Sequence, residues 1–276
     1  MSIVASGIAP HPPIIIPDIG RGELSRVKDT VESLKLFSRQ VASTNPETVI
    51  LITPHGPMHR SAPVVLAGKK LEGDFARFRA PEIQLHAKND LELVNAIEKE
   101  TQKEGPGIFR LDEEKHPGEA STLDHGITVP LYYLQEAGTG KQVVAITFAP
   151  LPYDDLFRFG QAIQRAVLKT GRRAAVVASG DLSHRLTRFA PAGFNPRGQE
   201  FDRQLVELVK NYDVDGLLHM DETLVYEAGE CGLRSIIILL GCLEGLQVSP
   251  RVFSYEGPFG VGYLVASFTP QQKEAI

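Results

Sequence analysis

Apolar residues fall into two rhythms along the chain. At 48–53 the run Thr-Val-Ile-Leu-Ile-Thr carries no charge, the pattern of a strand buried on both faces. Residues 2–8, 62–67, 142–148 and 173–178 also read as strands. Between them apolar positions recur at helical spacing. Leu24, Val27, Val31, Leu34 and Val41 predict a helix over 23–42. The same spacing predicts helices at 89–104, 126–137, 154–170, 197–211, 214–220 and 232–243. Residues 248–255 and 261–268 close the chain as two strands around Glu256-Gly257-Pro258-Phe259-Gly260, an expected hairpin. Residues 69–85 and 105–121 follow neither rhythm and are expected to be covering loops.

Strands alternating with helices imply an α/β fold: a mixed, largely parallel β-sheet core flanked by helices. No Ser/Gly/Pro linker or repeat divides the 276 residues, so a single domain over 1–276 is expected. Hydrophobic residues at 42% and charged residues at 23% exclude disordered and collagen-like classes. A net charge of −5 argues against a general nucleic-acid or anionic-membrane surface. The longest apolar run, 235–242, is far short of the roughly 20 residues a membrane span needs. Two cysteines cannot build a disulfide framework, and the opening residues show no leader pattern. A reducing cytoplasm is therefore the expected location.

The eight histidines change the picture more. Three predicted strands run into polar, histidine-bearing turns: Ala9-Pro10-His11, Thr53-Pro54-His55 and Ser179-Gly180-Asp181-Leu182-Ser183-His184. Ligands of open α/β sheets bind beyond the carboxyl ends of the strands. A single such histidine is most often a turn residue; three on parallel neighbours would converge on one rim. Prolines flanking His11 and His55 stiffen their loops, which suits metal ligands. His125 follows Asp124, a helix N-cap candidate, and either simply follows it or donates to a bound ligand.

Glu230 and Cys231 stand where a long apolar helix begins. That position favours anions, so Glu230 is either a ligand or plain dipole compensation. Two histidines with a carboxylate form the facial triad of non-haem Fe(II) oxygenases, whereas two histidines with a thiolate favour zinc or copper. Neighbouring helical side chains diverge by about 100°, so only one of the two is expected to bind an ion. Other patterns fail. Pro57 breaks the helix that His55 and His59 would need, and Gly138-Thr139-Gly140-Lys141 lacks the spacing of a phosphate loop.

Taken in order, Ala9-Pro10-His11-Pro12-Pro13, Ile52-Thr53-Pro54-His55-Gly56, Leu123-Asp124-His125-Gly126, Ser179-Gly180-Asp181-Leu182-Ser183-His184 and Glu230-Cys231-Gly232-Leu233-Arg234-Ser235 are familiar. The chain resembles the catalytic subunit of the class III extradiol ring-cleavage dioxygenases. Among such proteins it looks most like the Memo-related branch of AmmeMemoRadiSam systems, and the AMMECR1 domain often joined to that branch is expected to be absent. The resemblance implies a metal held by His11, His55 and a third ligand. The family glutamate makes Glu230 the expected one, and the cysteine of the Memo-like branch makes Cys231 the alternative. It implies His184 as acid/base, His125 as a second active-site histidine, and Asp181 orienting His184. Fe(II) is the implied cofactor, with Zn or Cu the alternatives. The implied activity is ring cleavage of a catechol-type aromatic with O₂, in aromatic compound metabolism. The competing expectation is a Memo-like metal-binding protein with a redox or partner-binding role and no ring cleavage; a hydrolase using metal-bound water is a third. The implied partners are the aromatic and O₂, with room for a homo-oligomer and for an AMMECR1-type partner protein, and with neither nucleic acid nor membrane.

Overall fold

The computed structural model describes residues 3–271. Its strands are β1 (Ile3–Ala9), β2 (Thr48–Thr53), β3 (Val64–Leu66), β4 (Lys70–Phe75), β5 (Ala80–Asn89), β6 (Phe109–Leu111), β7 (Gln142–Thr147), β8 (Ala174–Ser179), β9 (Val248–Glu256) and β10 (Tyr263–Pro270). The helices are α1 (Pro17–Gly20), α2 (Lys28–Ser43), α3 (Leu91–Lys103), α4 (His125–Glu136), α5 (Tyr153–Thr170), α6 (Arg197–Asn211), α7 (Val214–Leu218), α8 (Glu222–Ala228) and α9 (Leu233–Cys242). One sheet runs in the order β4-β5-β7-β2-β8-β1-β10-β9, with β3 branching antiparallel from β7 and β6 pairing with β3. The stretch from β5 to β1 is parallel. The β9–β10 hairpin completes one side antiparallel, as its two apolar runs predict.

Alternation along the central strands builds two cores. Ile50 and Ile52 of β2, Val144 and Ile146 of β7, and Val176 and Ala178 of β8 pack with α3, α5 and α9. Val49, Leu51, Val143, Ala145, Ala175 and Val177 face α2 and α4 on the other side. Every residue of β2 and β8 is buried. The charge-free run in β2 is thus the signature of a strand covered on both faces.

Two stretches differ from their expected form. Residues 69–85 were expected to be a covering loop; they form most of the β4–β5 hairpin. In β4 only Leu71 and Phe75 are buried, with Gly73 between them, so no apolar run marks it. β5 does alternate, with Leu85, Ala87 and Asn89 inward and Gln84, His86 and Lys88 outward. The short β6 lies in the other expected loop. Helix α8 is also unforeseen, and it is capped by Asp221, whose Oδ1 accepts the Thr223 N–H at 2.8 Å. No described helix is long and apolar enough to cross a membrane.

Candidate metal centre

β2, β8 and β1 are parallel neighbours. Their carboxyl ends therefore open at one rim, and the turns that leave them bring His55, the Ser179–His184 segment and His11 together. Opposite, the start of α9 closes on the β8 turn. Gly180 and Gly232 meet so tightly that a Cβ on Gly180 would lie 2.2 Å from the Gly232 Cα. This contact places Cys231 beside the turn: its N–H donates to the Asp181 carbonyl at 3.2 Å, and its Sγ accepts the Asp181 N–H at 3.3 Å.

His11 Nε2 stands 3.0 Å from His55 Nε2 and 3.7 Å from Cys231 Sγ. One donor atom from each of His11, His55 and Cys231 lies within 4.8 Å of the others. Nitrogens bonded at about 2.0–2.1 Å and a thiolate at about 2.3 Å to one ion lie about 3.0–3.6 Å apart, so the donor spacing suits a metal. The supporting contacts suit one too. His11 is 2% exposed, and its Nδ1 is 2.9 Å from Ser179 Oγ. A Nδ1–H donated to that hydroxyl leaves the Nε2 lone pair facing the other donors. The His11 backbone N–H donates to Asp181 Oδ1 at 2.9 Å.

Burial, then the neighbouring histidines, holds His11 well below the ordinary imidazole range. Burial and His125 bring His55 down to about 4, against a raising effect from Asp124. Both rings are therefore neutral near pH 7, as ligands must be. Burial, followed by the carboxylates of Asp181 and Glu230, pushes the Cys231 thiol well up. A cation beside the sulfur is the charge that would favour its thiolate.

Glu230, the expected third ligand, does not join these donors. Its Oε2 accepts the Leu233 N–H at 2.6 Å and so closes the first turn of α9. The dipole-compensation alternative describes this contact. Asp181 also differs from its expected place: its carboxylate meets His11, with Oδ2 3.9 Å from His11 Nε2, and not His184. The reason is the turn itself, which sends Asp181 back toward β1 and His184 onward to α8, where its N–H meets the Ala228 carbonyl at 3.2 Å.

His125 is the first residue of α4, beside its cap Asp124, which accepts the Gly126 N–H and the Thr53 hydroxyl at 2.7 Å each. Its ring stacks on His55 at 4.4 Å and lies 5.4 Å from His11. Phe78, from the tip of the β4–β5 hairpin, approaches His125 at 5.5 Å. Burial first, then the Arg77 guanidinium, lowers His125. Burial also lowers His184, and its charge would act on both His11 and His55. His184 Nδ1 is buried without a hydrogen-bond partner among the described residues. His86 and His219 are exposed, and His59 stacks on Phe109 away from the cluster. Ser179 was legible in principle, since it directly precedes the glycine turn at the strand end. The hairpin tip gave no signal.

The β8 turn rests on a further buried acid. Asp202 of α6 accepts the Ser183 N–H at 2.8 Å and the Tyr255 hydroxyl at 2.6 Å. Burial raises its carboxyl from the ordinary 3.8 to about 6. The folded protein therefore holds this proton more tightly than the unfolded chain. Its stabilising effect is complete below about pH 4 and is lost as pH rises through about 6. The expected loss is about 3 kcal/mol at most. Urea midpoints measured from pH 4 to 7 should show a downward contribution that Asp202→Asn removes; the same pH slope in both proteins would refute it.

A family model described as the catalytic LigB subunit of aromatic ring-opening dioxygenase matches residues 7–266. A protein of Clostridium acetobutylicum is 38% identical over 265 residues, covering 95% of this chain and 57% of that protein. This chain thus spans little more than half of that relative's length. The 3,4-dihydroxyphenylacetate 2,3-dioxygenase of Escherichia coli is 25% identical over 236 residues, 81% of this chain and 83% of that enzyme. A MEMO1 family protein of Methanothermobacter thermautotrophicus is 28% identical over 128 residues, 46% of this chain and 40% of that protein. The crystal structure of an uncharacterized Escherichia coli protein matches with a TM-score of 0.64 at 14% identity, over 96% of this chain and 99% of that one. That likeness speaks for the fold alone.

Proposed function

This chain belongs to the family of the catalytic LigB subunit of aromatic ring-opening dioxygenase, and from that premise we propose that it is a metal-dependent oxidoreductase acting on a small catechol-type aromatic with O₂. His11, His55 and Cys231 would hold the metal. The observation that supports this reading is the gathering of those three donors where the ends of β1 and β2 meet the start of α9. The bound metal would supply Lewis acidity and redox capacity for O₂ chemistry, with Fe(II) as the family's ion.

The protein's own part is positioning and proton transfer. Ser179 holds the His11 ring in one tautomer through Nδ1. His184, held below its ordinary pKa by burial, is neutral near pH 7 and takes a proton from an aromatic hydroxyl, then returns it. His125 donates to the ligand's oxygen from its place against His55. Phe78, 5.5 Å from the His125 ring, would meet the ring of the bound aromatic.

The thiol favours a second reading. A sulfur donor in place of a carboxylate suits zinc or copper. On this reading the protein is Memo-like, and binds its metal for a redox or partner-binding role without opening a ring. Metal analysis, followed by anaerobic loading with Fe(II) and oxygen uptake with 3,4-dihydroxyphenylacetate and a catechol panel, separates the two. Uptake stoichiometric with catechol supports the first reading. Tight zinc or copper with no uptake by the iron-loaded protein supports the second.

His184→Ala is expected to keep the metal and lose about 10²–10⁴-fold in turnover, as removal of an acid/base group does. Loss of metal in that variant, equal to the loss in His11→Ala, would make His184 a ligand instead.

A further inference from the structure

The β4–β5 hairpin is fixed against the start of α4. The Glu72 N–H donates to the Ser121 carbonyl at 2.8 Å, and the Leu123 N–H donates to the Glu72 carbonyl at 2.7 Å. At Gly73 a Cβ would lie 2.5 Å from Thr128 Cγ2, so only glycine permits the approach. The tip, Ala76–Phe78, is a single 3₁₀ turn. Asp74 Oδ1 accepts the Ala76 N–H at 2.9 Å before it, and Arg79 follows in the left-handed region at φ 65°. The tip is thus set by backbone contacts at both ends.

That tip faces the histidines. Phe78 lies 5.5 Å from His125, which stacks at 4.4 Å on His55. Arg77, beside Phe78, is exposed. Arg26, Arg110, Arg158, Arg172 and Arg197 each hold a carboxylate. Arg77, like Arg79 beside it, has no such partner within ion-pair distance among the described residues. The acids of the adjoining turns are committed elsewhere: Asp74 to Ala76, and Asp124 to Thr53 and Gly126. A guanidinium presents a fork of donors matched to carboxylate or phosphate oxygens, and a phenyl ring offers an edge or face to another ring.

We propose that Arg77 and Phe78 form a recognition tip for an aromatic ligand that carries an anionic oxygen group. Arg77 pairs with the anion, and Phe78 lines the ring whose other end meets the donor site. The proposal rests on the reading of this site as one that takes an aromatic. It assigns specificity for a charged ring over a neutral one to a hairpin outside the donor loops.

The test uses zinc-loaded protein, in which binding is read without turnover. Calorimetric titration compares 3,4-dihydroxyphenylacetate with neutral 4-methylcatechol. The wild type is expected to prefer the acid by about tenfold or more, and Arg77→Gln should bring the ratio of the two affinities to about one. Arg77→Lys should retain part of the preference, since the charge remains without the fork. Competition by phenylacetate identifies a carboxylate as the preferred anion, and competition by phenyl phosphate identifies a phosphate. A wild type without preference, or an undiminished preference in Arg77→Gln, overturns the proposal. Binding of neither catechol by the wild type would instead overturn the aromatic reading on which it rests.

Discussion

Cys231→Ser is expected to lose its metal, as is His11→Ala, while Glu230→Gln keeps full occupancy. The Cys231 sulfur lies 3.7 Å from His11 Nε2 and belongs to the donor group. Removing one of three donors should weaken binding by more than about 100-fold, since even the outer contacts of a metal site are worth 10–100-fold. The Glu230 carboxylate instead accepts the Leu233 N–H. A glutamine oxygen can accept the same bond, so that variant should lose only the charge at the helix start, about 1 kcal/mol or less. Metal content after dialysis, measured for the three variants side by side, decides it. Full occupancy in Cys231→Ser together with loss in Glu230→Gln would return the third position to the carboxylate.

Gly180→Ala should damage stability and metal affinity together. The added Cβ would meet the Gly232 Cα at 2.2 Å and its nitrogen at 3.0 Å. Both are backbone atoms, which cannot swing aside as a side chain can. The expected destabilisation is about 3 kcal/mol, the upper range for overpacking. Ser179 and Asp181 lie on one side of this contact and Cys231 on the other, so any relief by separation pulls the donors apart. Gly22→Ala is the matched control, because a Cβ there meets nothing within 4 Å. Urea midpoints should fall for the first variant and hold for the second. An unchanged midpoint with full metal binding in Gly180→Ala would show that the two backbones separate at no cost.

The parts of this molecule that a sequence reveals are those whose causes are local. The charge-free β2 run, ended by Pro54, announces a buried strand and the place where it stops. So does the run ending at Ser179, and the ends of β1 and β2 carry the His11–His55 approach. Glu230 and Cys231 are different. They are adjacent, both have ligand chemistry, and the choice depends on the Gly180–Gly232 approach, a contact between segments about 50 residues apart in sequence. The same holds for Asp181. Nothing in its neighbourhood shows that the turn sends its carboxylate to His11. The β4–β5 hairpin was concealed for another reason. It buries one face only, and its tip reads as ordinary polar loop. The period-two alternation from Leu85 to Asn89 was present, but too short to outweigh the charged residues around it.

The place of β1 has a consequence for biosynthesis. This strand precedes both of its sheet partners in the chain: it pairs with β8 on one side and β10 on the other. Its last residue is Ala9, and β8 begins at Ala174, 174 − 9 = 165 positions later. At translation rates of about 5–20 residues per second, that interval is roughly 8–33 s. For that time an apolar strand has no sheet partner, and it waits again for β10. β1 is thus made long before either strand that completes its hydrogen bonding. Chaperones that shield this segment until β8 has been made should raise the yield of folded protein.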